Sequence, residues 1–190
     1  VTRQQNNFNL GNVHCNSSYY KIINEFLQTL DVEALSAVVV RPKLAHAKGK
    51  PARVSVGQIS EIFGESVNLD IGSESLERSL SEARLAVVTY NETTIPTNLM
   101  VNFPTIALWD SNYVRLNDRA AAVYEELLNA KILFHSPTDA AQHISEIWSD
   151  VDSWWNSEIV QSARLNFCDH YAYKVRFPGL TVASAIADNL

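Results

Sequence analysis

VVTYNETTIPTNLMVNFPTIALWD, residues 87–110, is the stretch on which the fold turns. A β-branched apolar run gives way to short hydroxyl and amide side chains. An apolar segment at helical spacing follows, then Asn-Phe-Pro, then a second apolar run. Continuous apolar runs of this length suit strands covered on both faces, which is the condition of a parallel sheet. LAVVT at 85–89 and Thr105 to Trp109 read as such strands, and 94–101 as the short helix crossing between them. A strand, a crossing helix and a second strand imply a parallel pair. The expected class is therefore α/β, a Rossmann-like parallel sheet flanked by helices.

The pattern continues in both directions. Upstream, 18–30 places Tyr19, Ile22, Ile23, Phe26, Leu27 and Leu30 at helical spacing, with Ser17 or Ser18 as the cap. LSAVVVR at 35–41 reads as a buried strand ended by Pro42. Residues 43–53 are basic, with Gly49 and Pro51, and read as a loop; 55–63 suggests a short helix ending at Gly64. VNLDI at 67–71 is a short strand, and Ser73 and Ser75 precede another short helix. Downstream, 119–130 is helical in composition, KILF is extended, and Ser136-Pro137 opens a helix reaching about Trp148. Two further helices, 150–155 and 157 to about 173, follow. The expected organisation is an N-terminal segment 1–15, a Rossmann-like domain with C-terminal helices over 16–175, and an unassigned tail 176–190.

Composition narrows the function. With 190 residues and a 46% hydrophobic share, the chain can bury a sizeable core. Its formal net charge of −6 does not favour non-specific nucleic-acid binding. No run approaches the roughly 20 apolar residues that span a bilayer. Cys15 and Cys168 are not in a paired motif, so a cytoplasmic chain with two thiols is the simpler reading. The first residue is Val1 and the only methionine is Met100, so a fragment of a longer product is expected.

The polar turn after LAVVT carries the candidate chemistry. In an open α/β sheet, ligands bind beyond the carboxyl ends of the strands. Asn91, Thr93 and Thr94 can cap the helix that follows, and that is all such residues do in many proteins. They can equally form an anion cradle, because a first helical turn leaves backbone N–H groups unpaired and favours negative charge. There is no glycine fingerprint of the dinucleotide or P-loop kind. Asp110, at the end of the next strand, can touch a sugar or base hydroxyl or cap the following helix. Trp148, Trp154 and Trp155 read as packing residues more readily than as a sugar platform. His135 can reach the same sheet edge, whereas His143 and Asp139, four apart on one helix, suggest a solvated face. No pair of histidines has metal-ligand spacing, so no metal site is expected.

From about Ser75 to about Tyr173 the chain resembles the C-terminal part of a family of transferases from bacterial surface-polysaccharide (O-antigen or lipopolysaccharide) gene clusters. The segments that carry the resemblance are LAVVTYNETT, NFPTIALWD, AAAVYEELLNAKILFHSP and AAQHISEIWSDVDSWWNSEIVQSARLNFCDHYA. FLQTLDVEALSAVVVRP matches in pattern. Those proteins look like GT-B glycosyltransferases, with two Rossmann-like domains and a nucleotide-sugar site in the cleft between them. The turn is also similar in kind to the Thr/Ser-rich turn of glycerophosphate and polysialic-acid transferases.

The resemblance implies that Thr89, Asn91, Thr93 and Thr94 lie near a donor diphosphate. Arg41, at the end of the preceding strand, can join them by pairing with phosphate, or can instead form a surface salt bridge. One departure stands out: where the family's pattern has a glutamate three residues past the last Thr, this chain has Thr97, and Glu92 sits inside the turn. A carboxylate there repels a diphosphate unless a cation intervenes. The resemblance assigns the catalytic base to an N-terminal domain, so no catalytic residue is named in this chain. The implied partners are a nucleotide-sugar donor, a glycan or lipid-linked acceptor and that N-terminal domain. The implied setting is cytoplasmic, at most peripheral to the inner membrane, and no cofactor is expected. Two other readings stay open: a degenerate or truncated binding domain, and a GT-B-like nucleotide-sugar epimerase.

Overall fold

The computed structural model describes residues 13–41, 67–70, 75–112 and 116–172. The loop expected at 43–53, the helix at 55–63 and the tail beyond Phe177 lie outside the described residues. The elements, in order, are α1 (Val13–Thr29), α2 (Val32–Ser36), β1 (Val39–Val40), β2 (Asn68–Leu69) and α3 (Leu76–Ser81). Then come β3 (Ala86–Val88), α4 (Thr94–Met100), β4 (Thr105–Leu108) and α5 (Asp118–Asn129). β5 (Leu133–Phe134), α6 (Pro137–Ile147), α7 (Val151–Trp155) and α8 (Glu158–Tyr171) complete the series.

β3, β4 and β5 form a three-stranded parallel sheet in that order, with Val87 opposite Ile106 and Ala107 opposite Leu133. Successive side chains on a strand point to opposite faces, and here both faces are buried. Val88, Ala107, Trp109 and Leu133 face one core, with Ile95 and Leu99 of α4, Leu127 of α5, Trp155 of α7 and Phe167 of α8. Val87, Ile106, Leu108 and Phe134 face the other, with Phe26 and Leu27 of α1 and Ala140 and Ile144 of α6. The apolar runs are continuous because each strand needs greasy side chains on both sides. Each fully buried leucine or isoleucine contributes about 1.5–3 kcal/mol. The expected α/β class is what the structure shows: parallel sheets flanked by helices, compatible with a Rossmann-like fold.

β1 and β2 form a separate two-stranded parallel sheet, Val39 opposite Asn68 and Val40 opposite Leu69. Val38, Val40 and Leu69 pack on the α1–α6 side of the core.

Two expectations near the N-terminus are corrected. The run at 35–41 is not one strand. Asp31 accepts from the Ala34 N–H at 2.7 Å and starts α2, so only Val39–Val40 pair. A good cap with Glu33 in the first turn outweighs the β-branched composition behind it. α1 begins earlier, at Val13, so Ser17 and Ser18 fall within the helix and not at its start.

α4 and α5 end alike. Asn102 and Lys131 both have φ of 58°, a left-handed geometry that closes a helix. The Phe103 N–H bonds Asn98 O and the Ile132 N–H bonds Leu127 O, each 2.9 Å, which turns the chain straight into β4 and β5. Asparagine tolerates this geometry better than most residues. At Asn102 the side chain is used as well: Trp155 Nε1 donates to its Oδ1 at 3.1 Å and Gln161 Nε2 at 3.2 Å. Arg164 donates to Leu99 O at 2.9 Å, satisfying another carbonyl of the last turn of α4. These bonds fix α4, and with it the turn that precedes it, against α7 and α8.

Candidate functional site

Because β3, β4 and β5 are parallel, their carboxyl ends share one edge of the sheet. The turn Thr89–Thr94, then Trp109-Asp110, then His135-Ser136 follow the three strands at that edge. A chain of contacts runs across it. The Trp109 ring meets His135 edge-on at 6.1 Å between centroids and Tyr124 of α5 at 5.9 Å. Tyr124 Oη then donates to Asn91 Oδ1 at 2.9 Å. Thus Asn91 on the β3 side and His135 on the β5 side flank one aromatic floor.

The polar turn does not act as the expected side-chain cap. Thr93 occupies the N-cap position of α4 with φ −61° and ψ −21° and makes no side-chain cap bond. A capping side chain needs the extended conformation seen at Ser75, Asn117 and Ser136, each of which bonds the amide three residues on. Thr93 is already helical, so its hydroxyl cannot swing back onto those amides. Asn91 instead serves Tyr124, and Thr94 Oγ1 lies 3.4 Å from Tyr90 Oη. Thr89 is half-buried directly after β3. Pro96 sits in the first turn of α4 and removes one of its N–H donors.

Thr97, at the position of the departure, donates its hydroxyl to Thr93 O at 2.7 Å, back along its own helix. Glu92 is exposed on the turn.

Asp110 caps no helix: α5 is capped by Asn117, which accepts from Ala120 N at 2.8 Å. Asp110 Oδ1 instead accepts from Asn112 N at 2.8 Å and Asn112 Nδ2 at 2.7 Å, a local turn. This fixes the half-buried carboxylate at the edge.

His135 gains the partner that sequence could not show. Its Nδ1 lies 2.9 Å from Trp109 O. A backbone carbonyl only accepts, so Nδ1 carries the proton and a neutral ring presents its Nε2 lone pair as an acceptor.

Arg41 belongs to the other sheet. It follows β1 and meets Asp70 Oδ2 at 2.7 Å and Ser79 Oγ at 2.8 Å, with the Ser75 carbonyl at 3.4 Å. Ser79 also donates to Asp70 Oδ2 at 2.7 Å. Of the two readings of Arg41, the ion pair is the one formed here.

The tryptophans pack, as their composition suggested. Trp155 is buried and bonded to Asn102, Trp154 touches both cores, and Arg84 lies over the Trp148 ring at 5.0 Å while donating to Trp148 O. Trp109 is more deeply buried than a ligand platform would be, at 3% exposure. His143 overturns its expectation. It is not on a solvated face but buried between Phe134 and Trp154, with ring centroids at 5.4 and 5.3 Å. Desolvation, then Lys131, holds its pKa below the ordinary histidine value. The i,i+4 spacing with Asp139 described only one side of α6; the other side is set by the sheet.

Tyr124 was missed in the sequence. The signal was available: it lies on the apolar stripe of α5 with Val123 and Leu127, and a buried phenol needs a partner for its hydroxyl. Burial raises its pKa, so the hydroxyl keeps its proton. Among the described residues, no group of three or more His, Cys, Asp or Glu is placed to hold a metal ion. No helix among them is long and apolar enough to cross a membrane.

The carboxyl edge of this parallel sheet gathers amide, hydroxyl, imidazole and carboxylate groups at the position where open α/β sheets commonly take their ligands. The model of the LIC12162 family transferases matches residues 10–183, and the chain belongs to that family. The family is one of transferases. Neither the curated proteins nor the solved structures contain a match to this chain.

Proposed function

We propose that this chain is the donor-binding half of a GT-B-type transferase. It takes a nucleotide-activated sugar or a related group during assembly of a bacterial surface polysaccharide. The observation that carries the reading is the meeting of the Thr89–Thr94 turn, Asp110 and His135 at one carboxyl edge, in a member of a transferase family. In this reading Thr89, Asn91, Thr93 and Thr94 donate hydrogen bonds to the donor's diphosphate. Those donors stabilise the leaving group as its negative charge grows. Asp110, held by Asn112, offers its second oxygen to a sugar or ribose hydroxyl. Arg41 stays outside the site, since its guanidinium is engaged by Asp70 and Ser79. The acceptor is a glycan or a lipid-linked glycan, and a second Rossmann-like domain supplies the other wall of the cleft. The enzyme works at the cytoplasmic side.

Glu92 and Thr97 favour a second reading, a donor-type domain that has lost its donor and serves as a binding module. The two readings separate in a thermal-shift screen with UDP, CDP, GDP, ADP and CMP. A nucleotide at about 100 times its Kd stabilises the chain by about 2.7 kcal/mol. The transferase reading expects stabilisation by one of them and its loss in the Thr93→Ala/Thr94→Ala variant. Silence from every nucleotide supports the binding module.

A further inference from the structure

The Tyr124–Asn91 pair says more about the edge than that it is polar. A primary amide is planar, with its oxygen and its nitrogen diverging from one carbon. Asn91 is partly exposed, and its Oδ1 is occupied by the Tyr124 hydroxyl at 2.9 Å. The nitrogen corner therefore points away from Tyr124, and Nδ2 has no hydrogen-bond partner among the described residues. Tyr124 itself cannot easily move. It is buried at 7% exposure, edge-on to Trp109 at 5.9 Å and to Phe167 at 5.4 Å, with Tyr171 at 5.9 Å. An asparagine free to rotate presents a donor or an acceptor with similar ease. One whose oxygen is pinned from below keeps its N–H2 group turned the other way, with only one oxygen lone pair left over.

We infer that Tyr124 is a positioning and specificity-determining residue of the candidate site: it pins Asn91 with its N–H2 group outward, so that the turn selects ligand groups rich in acceptors, as a diphosphate is. This rests on the donor-binding reading of the same edge. The seven-residue α4 behind the turn offers no anion site of its own, and Pro96 has removed one of its first-turn donors. The phenol stays protonated because burial raises its pKa, so the amide orientation holds throughout the neutral range.

The test is a double-mutant cycle on the whole chain, with nucleotide affinity read by calorimetry and stability read separately by urea unfolding. The probe is whichever of UDP, CDP, GDP or ADP binds the unaltered chain. Tyr124→Phe keeps the ring and deletes only the hydroxyl. It is expected to weaken nucleotide binding about tenfold, the scale of a hydrogen bond to a charged group. In an Asn91→Ala background the same substitution is expected to change affinity less than about twofold, because there is no amide left to orient. An equal loss in both backgrounds shows that Tyr124 acts on the fold at large and overturns the inference. Unchanged affinity in Tyr124→Phe alone also overturns it, while leaving the donor-binding reading in place. If the unaltered chain binds none of the four, the diphosphate-donor reading falls and takes the inference with it.

Discussion

The two parallel sheets end in opposite ways. At the carboxyl end of β1 and β2, Arg41, Asp70 and Ser79 close on one another, with every contact between 2.7 and 2.8 Å. At the carboxyl end of β3, β4 and β5, the bonds that exist fix side chains without using them up. Tyr124 takes one corner of Asn91, Asn112 takes one oxygen of Asp110, and the Trp109 carbonyl takes one nitrogen of His135. Each leaves an outward atom with hydrogen-bonding capacity. A closed triad at a strand end is a clasp, whereas a row of half-used polar groups over an aromatic floor is suited to a ligand. The difference could not be read from residue types, since an arginine is the more obvious anion binder of the two sets.

The floor of the open edge should be the hardest part to alter. Trp109→Ala removes a buried indole between both the Tyr124 and His135 rings and is expected to cost about 3–5 kcal/mol in urea unfolding. A loss below about 1 kcal/mol would mean that the floor is not the packed platform described here. At the closed edge, Arg41→Ala takes the cation away from Asp70, whose side chain is only 14% exposed, and leaves it the Ser79 hydroxyl. We expect a loss of about 1–2 kcal/mol, less than for a fully buried pair because Arg41 is partly in solvent. Nucleotide affinity should not change, and a parallel loss of affinity would move Arg41 from the clasp into the site.

Behind the open edge, His143 provides a pH test of the interior. Its pKa is lowered in the folded chain, chiefly by desolvation, with Lys131 adding to the effect and Glu146 opposing it. Above the unfolded value of 6.5 both states are neutral, and its contribution to stability is full. As the pH falls through 6.5 towards the lower folded pKa, the unfolded chain takes the proton first and stability is lost. The slope attributable to this residue reaches at most about 1.4 kcal/mol per pH unit. His143→Phe should flatten that part of the profile between pH 7.5 and 5.5, and an unchanged slope would assign it elsewhere. The smallest effect is expected at Thr97→Ala. Its hydroxyl bonds only its own helix, so stability should shift by less than about 0.5 kcal/mol and nucleotide affinity should stay put.

The parallel sheet was legible because its signal is local: 85–89 and 105–109 are apolar without interruption, and the segment between them has helical spacing. The run at 35–41 misled because Asp31, just before it, caps a helix whose influence composition does not reveal. The candidate edge was legible as a position, since strand ends follow from strand assignments. What each residue does there was not. Whether Asn91 caps a helix, binds a phenol or faces solvent depends on Tyr124, 33 residues away. The same holds for His135 and the carbonyl of Trp109, 26 residues apart. The Asp139–His143 spacing gave the wrong face for a similar reason: Phe134 and Trp154, on other elements, decide where that ring sits.

The most direct test of the account is a calorimetric titration of the chain with UDP, CDP, GDP and ADP, run side by side on the unaltered protein, Asn91→Ala and Arg41→Ala. The account predicts that at least one nucleotide binds, that Asn91→Ala weakens it about tenfold, and that Arg41→Ala leaves it within about twofold. Binding that survives in Asn91→Ala but is lost in Arg41→Ala would contradict it and place the site at the edge of the other sheet.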